Sequence, residues 1–196
     1  MKVIVSDFMS LDGVVQAPGG AEEDTDGGFA HGGWSMPYFD VETMGPAIDE
    51  ALRGTEALLF GRRTWRVMAD AWPGRAGDPF ADRMNELPKY VASRTLSDGD
   101  MEWNSELLPA ADAIGAVRAL RDRDGGAIQV MGSSSLAQQL VEHDLVDEYS
   151  LMIEPVLLGG GKRIFPEGGQ ARPLELVSVT PTGTGVLVCR YRRASA

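Results

Sequence analysis

The chain has 196 residues, 43% of them apolar, and a net charge of −11. That length supports one well-cored domain over residues 1–196, and the acidic balance argues against nucleic acid or an anionic membrane as the main partner. Cys189 is the only cysteine, which excludes an intrachain disulfide, and with two widely separated histidines, His31 and His143, no metal site is expected.

No apolar run approaches the roughly 20 residues of a membrane helix. The N-terminus lacks the apolar stretch of a secretion signal, so a cytoplasmic location is expected. Residues 3–9, VIVSDFM, read as a buried strand, followed by a turn at Leu11-Asp12-Gly13. Residues 17–37 hold six glycines, two prolines and an acidic cluster, and predict a long loop that is functional or mobile. A helix is expected from about Val41, with Ala47, Ile48, Ala51 and Leu52 on one face, Pro46 starting or kinking it and Gly54 as its stop. EALLFG (56–61) reads as the second strand and 62–72 as a short helix. Residues 73–88 read as a loop with at most one helical turn.

KYVASRTL (89–96) predicts a third strand and MEWNSEL (101–107) a fourth. Ile114, Val117 and Leu120 have helical spacing ahead of Gly125-Gly126. AIQVMG (127–132) is the next strand, 133–145 the next helix, and 146–159 a further strand turning apolar. Residues 174–183 and 185–193 read as an antiparallel pair around a Thr-Gly-Thr-Gly turn. Strands alternating with helices and ending in a hairpin predict an α/β domain with a mainly parallel central sheet. In such a sheet, ligands bind beyond the carboxyl ends of the strands.

Three strand ends carry similar chemistry: Gly61-Arg62-Arg63-Thr64, Ser93-Arg94-Thr95 and Gly132-Ser133-Ser134-Ser135. A helix N-terminus offers free N–H groups to an anion, glycine allows close approach, and arginine forks suit phosphate. Three such ends on one edge point to an extended polyphosphate such as a dinucleotide. Each also has a plain structural reading as a turn or cap.

FMSLDGVV, LLFGRRTW, YVASRTL, IQVMGSSSLAQQLV and DEYSLMIEPVLLGGGKRIFP occur in an order that resembles the dihydrofolate-reductase-like superfamily over nearly the whole chain. PVLLGGGKRIF makes the chain most similar to the reductase domain of bacterial riboflavin biosynthesis, here as a standalone member without the zinc motif of the deaminase half. The resemblance implies a three-layer sandwich, and NADPH held by Gly61, Arg62, Arg63 and Thr64, by Ser93 and Arg94 at the 2′-phosphate, and by Gly132, Ser133, Ser134, Ser135 and Leu136 at the diphosphate. Serines stand where dihydrofolate reductases usually carry further glycines. The resemblance also implies hydride transfer to a pteridine- or pyrimidine-like heterocycle, and a homodimer. A nucleotide- or flavin-binding protein without reductase activity is the alternative.

The family's substrate carboxylate follows a Trp-x-x-Pro segment. Alignment on Trp34 and Pro37 puts Phe39 at that position with Asp40 one residue on, about 100° around a helix. Asp40 and Asp12 are therefore the candidate acids, each with an equally plain reading as helix-start or turn aspartate. Trp34, Phe39, Glu154 and Gly160 are the candidate substrate contacts, and Lys162 a candidate anion contact.

Overall fold

The computed structural model describes residues 1–75 and 77–194. Ala76, Ser195 and Ala196 fall within the expected 73–88 loop and the 1–196 domain but lie outside the described residues. The elements run β1 (Lys2–Ser10), α1 (Val41–Arg53), β2 (Thr55–Gly61), α2 (Arg62–Ala71), α3 (Pro79–Glu86), β3 (Lys89–Ala92), β4 (Ser105–Leu107), α4 (Ala113–Arg121), β5 (Ala127–Met131), α5 (Ser134–Glu142), β6 (Glu148–Glu154), β7 (Leu174–Pro181) and β8 (Leu187–Arg193). They form one eight-stranded sheet in the order β4-β3-β2-β5-β1-β6-β8-β7. The pairings from β4 to β6 are parallel, and β8 and β7 close the edge antiparallel.

The period-2 alternation of the strands divides the core into two layers around the sheet. Val3, Val5, Leu59 and Val130 pack with Val117 and Leu120 of α4 and with Leu136, Ala137 and Leu140 of α5. Leu58 and Phe60 point the other way, against Leu52 of α1, Trp65 and Ala69 of α2, and Met84 of α3. On that second face Met44 of α1 also meets Met152 and Val188, with Phe8 against them. The result is α4 and α5 on one face, α1, α2 and α3 on the other.

Most elements agree with the pattern in type and bounds; α3, β3, β4 and β6 differ in length. The 73–88 segment contains an eight-residue helix, α3, where a loop with one turn was expected. Pro79 in the first turn and the Asp78 carboxylate, accepting from Phe80 and Ala81 N–H, start it. Strand β3 stops at Ala92, because the Ser93 hydroxyl accepts from the N–H of Thr95 and of Leu96 and turns the chain. Strand β4 begins only at Ser105, since Trp103 and Asn104 hold φ of 55° and 54°, which no strand allows. Pro46 lies inside α1 without ending it, and the 182–185 turn joins β7 to β8 as read from sequence.

One polar knot ties the bottom of the sheet to the helical layer. The Asp147 carboxylate accepts from Val3 N–H at 2.9 Å and from both Nε and Nη2 of Arg121 at 3.0 and 2.5 Å. Burial opposes its ionisation, and the Arg121 and Val3 donors outweigh that, so its pKa is held below the ordinary value. Replacing it leaves Arg121 without its carboxylate and Val3 N–H without an acceptor. Asp147→Ala is therefore expected to lose about 1–3 kcal/mol in urea unfolding at neutral pH. Because the folded-state pKa is depressed, this contribution is present above the unfolded carboxylate's pKa and is lost as pH falls through the folded one. The gap between wild type and variant should narrow in acid.

Candidate active site

Beyond the carboxyl ends of β1, β2, β3 and β5 lies a cleft of about 1650 Å³. Its walls bring together residues far apart in sequence: Gly61, Arg62, Arg63, Thr64, Ser93, Arg94 and the run Gly132 to Leu136, all expected at a cofactor, together with Phe39, expected at a substrate. The three strand-end turns thus share one cavity. Two of them are also stitched together. Gly61 N–H donates to Ser133 Oγ at 2.8 Å, and Ser133 N–H donates to Thr64 Oγ1 at 3.1 Å.

This stitching has a consequence for the helix ends. Helices α1, α3 and α4 begin on Asp40, Asp78 and Asp112, each accepting hydrogen bonds from first-turn N–H groups. Helices α2 and α5 have no side-chain cap. Ser133 could cap α5, but its hydroxyl is engaged by Gly61 and its backbone is left-handed, with φ 59° and ψ 47°. First-turn residues of all five helices reach the cleft wall, and α2 and α5 are the two that reach it without a side-chain cap.

The arginines divide. Arg62 Nη1 donates to Thr95 Oγ1 at 2.7 Å, which carries it toward the Ser93-Arg94 turn. Arg63 Nη1 pairs with Asp24 and Asp26 of the 17–37 loop at 3.0 and 2.9 Å. Lys162 meets the same two carboxylates at 2.7 and 2.9 Å. The Arg63 hydrogen bond, followed by that of Lys162, lowers the Asp26 pKa to about 2. The loop expected to be functional or mobile is therefore clasped across the cleft by four ion contacts. Gln16 anchors its base, with Nε2 donating to the carbonyls of Asp24 and Asp26.

The two candidate acids are engaged elsewhere. Asp40 caps α1 and accepts from Gly183 N–H in the β7–β8 turn. Asp12 accepts from Ser10 Oγ and from Leu158 and Gly159 N–H, and the Ser10 bond leads in lowering its pKa to about 2. Among the described residues, neither lines the cleft. Trp34 is buried, its Nε1 donating to Gln16 O at 2.7 Å. Gly160 lies in the open. The glycine its neighbourhood requires is Gly161, at φ +130°, where a Cβ would stand 2.6 Å from Val14 Cγ1.

Two buried carboxyls stand out on opposite faces of the β1–β6 pair. Glu154 pairs in register with Ser10 and so shares the α1 face with Phe8 and Met152. It is fully buried, accepts from Ser35 Oγ at 2.5 Å, and its Oε2 has no partner. Burial pushes its pKa up to about 7, against the lowering effect of the Ser35 bond. Ser35 itself lines the cleft, directly between Glu154 and the cavity. Asp7 points to the α5 face and lines the cleft beside Gly132, and its Oδ2 has no partner either. Neither Ser35 nor Asp7 was singled out in the sequence. The available sign was a carboxylate at an inward position of an otherwise apolar strand, VIVSDFM.

Among the described residues no helix is long and apolar enough to cross a membrane, and none of them form a metal-binding group of three or more acidic, His or Cys side chains.

Residues 1–188 match the family model of the RibD C-terminal domain. The Bacillus subtilis protein YyaP is 25% identical over 195 residues, covering 97% of this chain and 94% of YyaP. Among solved structures, a pyrimidine reductase-like protein of Corynebacterium diphtheriae superposes with TM-score 0.63 at 15% identity, over 100% of this chain and 92% of that one. Dihydrofolate reductase of Enterococcus faecalis, complexed with NADP(H) and RAB-propyl, superposes with TM-score 0.62 at 15% identity, over 99% and 97% of the two chains. At these identities the two superpositions show the fold, which is that of dihydrofolate reductase.

Proposed function

The chain belongs to the RibD C-terminal domain family, and on that premise we propose that it is an NADPH-dependent reductase of a small pteridine- or pyrimidine-like heterocycle, with Glu154 as its proton source. Family and fold together support an oxidoreductase. The observation that carries the cofactor reading is that α2 and α5 open uncapped into one cleft while α1, α3 and α4 are each closed by an aspartate. Free N–H groups at two converging helix ends suit the phosphates of an extended nucleotide. NADPH, when bound, supplies the hydride.

The chain's own residues divide the remaining work. Backbone N–H groups at Ser134 and Ser135 hold the diphosphate. Arg62, drawn to Thr95, and Arg94 meet the 2′-phosphate. Phe39 and Phe8, with ring centroids 6.3 Å apart, wall the flat substrate. Glu154, neutral below pH about 7, supplies the proton: the Ser35 hydroxyl, which donates to it at rest, turns to accept the carboxyl proton as it releases its own hydrogen into the cleft. An acid on β6 then stands in for the first-helix carboxylate that Asp40 does not provide. A homodimer fits the sheet edge: Leu176, Val177 and Val179 of the outermost strand β7 are 54%, 45% and 47% exposed, as apolar as a pairing face requires.

Kinetics, cofactor binding and molecular mass each test this reading. Glu154→Gln should lower kcat by about 100-fold or more, with little change in NADPH affinity. The wild-type rate should fall as pH rises through about 7. An unaltered kcat would remove Glu154 from the reaction. Arg62→Ala or Arg94→Ala should weaken NADPH about 10- to 100-fold, the loss of a hydrogen bond to a charged group, and leave NADH nearly unaffected. Equal losses would move the arginines away from the 2′-phosphate, and tight FMN binding without any response to NADPH would favour a flavin-binding protein instead. Light scattering should give twice the chain mass, and Val179→Lys should halve it.

A further inference from the structure

We propose that Asp7 is an additional ligand-binding residue of the cleft, its unpartnered Oδ2 donating a hydrogen bond to a diphosphate oxygen of the dinucleotide on the Gly132–Ser135 turn. The inference rests on the dinucleotide reading above and adds a contact that neither the family resemblance nor the strand-end motifs point to.

Geometry carries it. Asp7 is the β1 residue next to Ser6, which pairs with Met131 at the end of β5, so its side chain lies beneath the Gly132 turn. It is only 9% exposed, yet it belongs to the cleft wall with Ser6 and Phe8. Its carboxyl takes a hydrogen bond from the Gly132 backbone, and Oδ2 is left without a partner. A buried polar atom without a partner costs free energy of about 1–3 kcal/mol, so its place at a ligand cavity is best accounted for by a partner that arrives with the ligand.

The charges around it decide which form of Asp7 can do this. From the 17–37 loop, Glu23, Asp24 and Asp26 face this part of the cleft, with Arg63 from α2 and Lys162 from the segment after β6. Asp24 and Asp26 are already neutralised by Arg63 and Lys162. No cation remains for Asp7 among these groups, and the Gly132–Ser135 turn and Leu151, its β6 neighbour, bring no charge. An ionised Asp7 would repel both Glu23 and an incoming diphosphate. Burial first, and the charge of Glu23 in addition, raise the Asp7 pKa well above the ordinary value, against the Gly132 bond. A neutral carboxyl has a proton to donate and no charge to repel.

The sign of the pH effect follows. If the ligand binds the protonated form, affinity is unchanged below the Asp7 titration point and falls above it, approaching about tenfold per pH unit for one linked proton. Asparagine is the discriminating substitution: its Oδ1 still accepts from Gly132, and its Nδ2 donates at every pH. NADP⁺ affinity, followed by tryptophan fluorescence from about pH 5.5 to pH 9, should match between wild type and Asp7→Asn at the acid end and diverge with rising pH, the variant holding its affinity. Parallel profiles, or a folded Asp7→Asn that has lost affinity at every pH, overturn the proposal. Calorimetry of the wild type alone, in two buffers of different ionisation enthalpy, should show proton uptake on binding at alkaline pH, and no uptake overturns it even if the variant does not fold. Failure of both proteins to bind NADP⁺ at any pH is the separate outcome that sinks the dinucleotide reading itself.

Discussion

Two hydrogen bonds, Gly61 N–H to Ser133 Oγ and Ser133 N–H to Thr64 Oγ1, lace the carboxyl ends of β2 and β5 together. Much of the cleft follows from them. They hold Ser133 in the left-handed region, a conformation that is uncommon for a residue with a side chain. They also consume the one hydroxyl able to cap α5, so this helix begins with free N–H groups and its positive dipole end turned to the cavity. The strain and the missing cap both act against stability, and both sit where the three strand-end turns meet. Local costs gathered at one place are a mark of a binding site.

The two orphaned carboxyls extend the same logic to the sheet. Asp7 and Glu154 lie on neighbouring strands but on opposite faces, because side chains alternate along β1 and β6. Asp7 looks to the α5 layer and the Gly132 turn; Glu154 looks to the α1 layer with Phe8 and Met152. Ionising either within apolar packing is unfavourable, so each is biased toward its neutral form and toward donating a proton or a hydrogen bond. One chain thereby carries a buried acid on each face of the sheet beside the cleft. Asp12 and Asp147, just outside the ends of β1 and β6, are by contrast surrounded by donors that favour their charged forms.

The acidic 17–37 loop adds charge balance. In a chain of net charge −11, an arginine on the wall of the cleft is a scarce cation. Arg63 is nonetheless given to Asp24 and Asp26, with Lys162 completing the clasp. Half-exposed contacts of this kind add little stability each. Their effect is positional: they hold a glycine-rich segment with short helical turns in a defined course along the cleft, and they leave Arg62 as the arginine directed to the Ser93 turn.

Much of the architecture was legible because it depends on local signals. Apolar runs of strand length, helical spacing, glycine stops and the 182–185 turn are written within a few residues, and strand-to-helix alternation implies a parallel sheet. The glycine–arginine and glycine–serine turns were readable for the same reason. Segment lengths were not, since the ends of β3 and β4 depend on the Ser93 hydroxyl and on left-handed residues at 103 and 104. The acids were least legible. Asp12 and Asp40 look catalytic by position, but their partners at 158–159 and 183 are distant in sequence. Asp7 looks like an ordinary strand residue, and Glu154 reads only as a substrate contact, until burial and the absence of a partner for one oxygen of each set them apart. What the sequence determined by itself was most of the elements and the glycine–arginine and glycine–serine turns at the strand ends, because short-range chemistry specifies both. Which carboxyls are biased to the neutral form and which arginine is taken by the loop carboxylates was decided only by the tertiary structure, because desolvation and pairing arise where strands and loops from across the chain converge.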